Sequence, residues 1–245
     1  MPDLAARQVL VEHVMGTVAS LEVRSGSTAG VEAALRSLHD ADERFSTYRA
    51  DSEISRLDAG SLRWSEASSE VREVLERCER LREATGGYFD ARAGGRLDPS
   101  ALVKGWAAQR AADLLTAGGM TDFCLGVGGD VITRGDGWTV GIQHPHDRSA
   151  MAARIRAGNL SIATSGLYER GAHILDPHTG AAAVGALSVT VVGPDLGTAD
   201  AYSTAVFAMG AAGPPWTLGL TGYEALTILT DGTILSTPGF PLEES

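Results

Sequence analysis

Two amphipathic helical stretches precede a run of short apolar segments divided by glycine turns, and this segregation restricts the fold more than any other feature. Val31, Ala34, Leu35, Leu38 and Phe45 fall at helical spacing, as do Val71, Val74, Leu75, Cys78 and Leu81 after Ser68-Ser69. The second stretch stops at Thr85-Gly86-Gly87, where glycine takes the left-handed conformation after a helix. Asp98-Pro99-Ser100 opens a third helix, capped by Asp98, that runs to about Ala117. Strand signals follow at Phe123–Val127, Val131–Thr133, Trp138–Ile142, Leu160–Ile162 and Leu187–Val192. A hairpin turns at Asp231-Gly232 inside Ala225–Leu235, and Asp200–Met209 reads as a helix between them. Val9–Val23 alternates but breaks at Met15-Gly16-Thr17, which predicts one strand interrupted by a close backbone approach. Helices kept apart from hairpin-like strands predict an α+β fold rather than a doubly wound sheet.

The formal net charge is -11 and no basic cluster offsets it, so the chain is expected to avoid nucleic acid, whose phosphates it would repel. The two cysteines, Cys78 and Cys124, make no disulfide framework. The start, MPDLAARQVLVEH, lacks a basic region followed by a long apolar run, and no stretch of roughly eighteen apolar residues occurs. The expectation is a cytoplasmic protein that is not membrane-embedded. Its 245 residues suffice for one large domain or two intimate lobes.

Chemistry-bearing residues concentrate between Ser161 and Thr204. Asp200 and Thr204 lie four apart, so on a helix both oxygens face one way, and a carboxylate beside a hydroxyl suits a hard ion such as Mg²⁺. An Asp at a helix start is more often a cap. The Gly-Thr-Ala turn before this pair, at the end of an apolar strand, favours a ligand-binding rim. Gly126-Val127-Gly128-Gly129-Asp130 is either a tight turn capped by Asp130 or a place where a bulky ligand approaches the backbone. It lacks the Lys-Ser/Thr of a phosphate loop. His173, between small and apolar residues, is either a packed core residue or a proton acceptor for a hydroxyl. His144 and His146 flank Pro145 in what reads as a solvated loop or a metal-binding pair. No Cys-x-x-Cys, HExxH or GxSxG pattern occurs.

Eight segments in order resemble the ApbE family, the FAD:protein FMN transferases. They are Met15-Gly16-Thr17, Asp51–Leu57, Thr85–Asp90, Lys104-Gly105-Trp106-Ala107, Gly128-Gly129-Asp130, Thr164-Ser165-Gly166, His173–Gly180 and Asp200–Thr204. The resemblance implies a single domain over residues 1–245. It would be built as two intimately packed lobes of mixed or antiparallel sheet with flanking helices, and a ligand cleft between them. It implies Mg²⁺-dependent transfer of FMN from FAD to a threonine (or serine) of a target protein, with release of AMP. The same site using water would be an FAD pyrophosphatase, and a further alternative is a non-catalytic FAD-binding module. Carried over residue by residue, Asp200, Thr204 and a backbone carbonyl near Val103 would hold the metal. Met15, Thr17, Tyr48, Phe89, Lys104, Gly128, Gly129, Asp130, Ser165, His173 and Asp176 would line the FAD site, with His173 as the base. Asp90 and Lys104 are closer in sequence than is usual in the family, which implies that a lobe or flap over the flavin is missing.

Overall fold

Eight strands form one continuous antiparallel sheet in the computed structural model, which describes residues 8–166 and 174–243. In chain order these are β1 (Gln8–Val14), β2 (Thr17–Gly26), β3 (Met120–Val127), β4 (Asp130–Arg134), β7 (Leu160–Gly166), β8 (Ala186–Gly193), β9 (Glu224–Leu229) and β10 (Ile234–Ser236). That order is also their order in the sheet. Between β4 and β7 the chain leaves to form a separate ribbon, β5 (Trp138–His144) paired with β6 (Asp147–Ala157). The helices are α1 (Val31–Phe45), α2 (Glu53–Asp58), α3 (Ser69–Ala84), α4 (Ser100–Ala117), α5 (Leu196–Met209) and α6 (Gly213–Thr217).

The sheet has a core on each face, as strand alternation requires. Ala163, Val191 and Ala225 point into the larger core with α1, α3, α4 and α5. Their sequence neighbours Ile162, Val192 and Leu226 join Trp138, Ile142 and Ile155 of the ribbon. Every residue of β8 is buried, the polar Ser188 and Thr190 included, because a strand flanks it on each side. α1 buries Ala34, Leu38 and Phe45, the residues whose spacing marked it as a helix. α3 is capped by Ser68, whose hydroxyl accepts the Val71 N–H.

Three expectations are corrected. Val9–Val23 is a hairpin, not one interrupted strand: Met15 (φ 56°) and Gly16 (φ 67°) make a two-residue turn between β1 and β2. Asp98 stands one residue before the cap position of α4, which Pro99 occupies, although its carboxylate still accepts the Ser100 N–H at 3.0 Å. α5 begins at Leu196 rather than Asp200, because Asp195 caps it by accepting the Thr198 N–H at 2.7 Å. His144 and His146 sit at the β5–β6 turn with rings 6.1 Å apart. Among the described residues no helix is long and apolar enough to cross a membrane.

Candidate active site

The crossing of α4 over α5 places the chemistry. A β-carbon on Gly105 would lie 2.5 Å from the Leu196 carbonyl oxygen, so only glycine allows this approach. At this crossing the Gly105 N–H donates to Asp200 Oδ2 at 3.2 Å. Three further contacts fix the start of α5. Gln109 Oε1 accepts the Leu196 N–H at 3.0 Å, and Arg77 pairs with the capping Asp195 and donates to Thr198 Oγ1 at 2.6 Å.

Asp200 is therefore no cap. It lies in the second turn of a helix whose neighbouring Ala199, Ala201 and Ala205 are all buried, and is itself 3% exposed. Thr204 is one turn on, as the four-residue spacing predicts. Ser165, at the end of β7, reaches both Ser203 Oγ (2.9 Å) and Thr204 Oγ1 (3.2 Å).

Lys104 connects this pair to the β3–β4 turn. Its Nζ is 2.9 Å from Asp130 Oδ2 and 3.8 Å from Asp200 Oδ1. Asp130 is fully buried, and its other oxygen accepts the Thr164 N–H at 3.1 Å. Burial pushes the Asp130 carboxyl above the usual carboxylate range, while the Lys104 ammonium and the Thr164 N–H pull it down. Gly128 and Gly129 turn the chain with φ of 53° and 90°. A β-carbon on Gly128 would meet Thr17 at 3.1 Å and the Lys104 chain at 3.4 Å. Thr17, Lys104, Gly128, Asp130, Ser165, Asp200 and Thr204 thus form one contiguous cluster, and Val103 is the buried neighbour of Lys104 on α4.

The remaining candidates sit elsewhere or serve otherwise. Phe89 is buried in the larger core and Tyr48 is 96% exposed. Met15 is the positive-φ residue of the β1–β2 turn, next to Thr17. Both oxygens of Asp176 are engaged within its own turn, accepting from the His178 N–H and the Thr179 hydroxyl. That turn docks on the Gly87-Tyr88 loop, where the His178 and Tyr88 rings meet edge-on at 4.5 Å. His173 lies outside the described residues. Ser203, Thr164 and Gly105 fall within the matched segments but carry no site role in the sequence reading, although a serine among the alanines of α5 is a visible buried polar residue.

The donor set fits a small hard cation. Among the described residues no three acidic, histidine or cysteine side chains converge. A single carboxylate with a neutral hydroxyl leaves most positions of a Mg²⁺ to water and to phosphate oxygens, its usual arrangement at phosphate sites. The Asp130 and Asp200 carboxylates make the place favourable to positive charge, and the Lys104 ammonium supplies part of it.

Known proteins agree with this architecture. A FAD:protein FMN transferase of Klebsiella pneumoniae is 33% identical over 163 residues, covering 62% of this chain and 50% of the relative. One of Rhodobacter capsulatus is 35% identical over 157 residues, covering 58% of this chain and 30% of the relative. The chain spans half or less of the length of these two relatives. The ApbE protein of Thermotoga maritima shares the fold with a TM-score of 0.88 at 23% identity, over 97% of this chain and 100% of that one. The flavin transferase ApbE of Vibrio cholerae does so with a TM-score of 0.82 at 24% identity, over 96% and 97%. The ApbE family model matches residues 15–95 and 91–227, and the chain belongs to the ApbE family.

Proposed function

We propose that this chain transfers FMN from FAD to the hydroxyl of a threonine or serine in a partner protein and releases AMP. The activity named for its relatives supports the reaction class. The observation that carries the reading is the contiguity of Lys104, Asp130, Asp200, Thr204 and the Gly128-Gly129 turn. These residues come from distant parts of the chain and converge on one side of the sheet. A structural role alone does not call for a buried carboxylate that holds a lysine against a second carboxylate.

Asp200 and Thr204, with the backbone near Val103, would hold Mg²⁺. When bound, the ion supplies charge neutralisation and a template for the phosphoryl oxygens. The chain's own residues do the rest. The Gly128-Gly129 turn keeps side chains out of the way, so that a diphosphate can approach the backbone. Asp130, anchored by the Thr164 N–H, holds the Lys104 ammonium where it meets phosphate charge. Asp200 is held from behind by the Gly105 N–H, which fixes one oxygen and aims the other toward Lys104. His173 would take the proton of the incoming hydroxyl as it attacks in line with the departing AMP oxygen.

The test is to incubate the protein with FAD, Mg²⁺ and a threonine-bearing acceptor, following AMP and protein-bound flavin. AMP matched by labelled acceptor supports transfer. AMP matched by free FMN makes the protein a pyrophosphatase, and retained FAD without AMP makes it a binding module.

A further inference from the structure

Two buried hydroxyls and the half-buried Thr204 beside Asp200 have a proton order that can be counted. Ser203 Oγ donates to the Asp200 carbonyl oxygen one turn back, at 2.9 Å. A serine hydroxyl carries one proton, so Ser203 has none left for Ser165, 2.9 Å away. Ser165 must therefore donate to Ser203. Its own proton is then spent, and the 3.2 Å contact with Thr204 is a bond in which Thr204 donates and Ser165 accepts. The direction is set along the whole chain, from Thr204 through Ser165 and Ser203 to the Asp200 carbonyl.

We infer that Ser203 and Ser165 are positioning residues that turn the Thr204 proton away from Asp200, so that Thr204 presents oxygen lone pairs to a divalent cation. This rests on the proposed metal role of Asp200 and Thr204. A hydroxyl that ligates a cation cannot point its proton at it, and a hydroxyl free to rotate would spend part of its time doing so. Here the acceptor for that proton is built in. Ser203 is wholly buried and Ser165 is 8% exposed, so water does not compete for the bond between them. The pattern is that of a metal ligand oriented by hydrogen bonds behind it. In Ser203→Ala the Ser165 proton loses its acceptor and turns to Thr204 Oγ1, where it occupies a lone pair.

The experiment titrates Mn²⁺ alone into flavin-free protein and counts the free ion by electron paramagnetic resonance. It compares wild type, Ser203→Ala, Thr204→Val and the double variant, with melting temperature recorded for each. Ser203→Ala is expected to bind Mn²⁺ about tenfold more weakly. In the Thr204→Val background the same change is expected to have no further effect, because its action runs through that hydroxyl. Equal Mn²⁺ affinity in wild type and Ser203→Ala overturns the proposal and leaves the metal reading standing. So does a lower melting temperature with unchanged affinity, or an undiminished effect in the Thr204→Val background. Absence of Mn²⁺ binding by wild type overturns both.

Discussion

Gly105 and Leu196 touch so closely that a single added β-carbon would lie 2.5 Å from the Leu196 carbonyl oxygen. The same contact lets the Gly105 N–H reach Asp200 Oδ2. Helix packing and the position of the candidate metal ligand are thus one geometric fact. Gly105→Ala is expected to force α4 and α5 apart, lower stability by about 2–3 kcal/mol, and reduce turnover more than it reduces FAD binding. Denaturant unfolding together with FAD titration checks this. A variant with wild-type stability and turnover would show that the crossing tolerates a methyl group.

The Lys104–Asp130 pair carries the second prediction. Asp130 is fully buried, so removing its cation leaves a carboxyl that must be either unpaired or protonated. Lys104→Met is expected to cost about 3 kcal/mol, and Lys104→Met combined with Asp130→Asn to recover most of that loss while remaining inactive. Additive losses in the double variant would mean that the two side chains do not act as a pair.

Much of this was open to reading from the residue order. α1 and α3 announced themselves through apolar spacing, and the Asp231-Gly232 turn through its residue types. What escaped has physical reasons. Met15 takes a positive φ that non-glycine residues rarely adopt, so the β1–β2 turn looked like an interruption. β6 was unread because Asp147–Ala157 buries only Ile155 and Ala157 and otherwise runs through alanine and arginine without alternation. The start of α5 was misplaced because Asp200 resembles a cap, whereas Asp195 fills that role. The Asp200–Thr204 pair was legible as a spacing. Its hydroxyl partners were not, since Ser165 and Ser203 are 38 positions apart and meet only through the fold.

Cys78 supplies a pH-dependent prediction. Burial pushes its thiol up to about 12. An unfolded chain releases that proton near the ordinary value of 9.0, so the native state holds a proton that the unfolded state loses. Stability is therefore undiminished by this group below about pH 9 and falls as pH rises from there toward about 12. At about pH 8.5, alkylation of Cys78 in folded protein is expected to be at least a hundredfold slower than in denatured protein. Comparable rates would show that the thiol is accessible.

His173→Ala is expected to slow transfer at least about a hundredfold while leaving FAD affinity within a few-fold of wild type, as loss of a general base does. Loss of FAD binding would assign the imidazole to holding the ligand instead.

In the proposed reaction the Asp200 carboxylate holds a divalent cation against the diphosphate of FAD. The most direct measurement is the Mg²⁺ dependence of AMP release from FAD by wild type and Asp200→Ala at equal FAD occupancy. Release is expected to saturate with Mg²⁺ in wild type and to be absent from the variant at any Mg²⁺ concentration. Equal, Mg²⁺-dependent release by both proteins would contradict it.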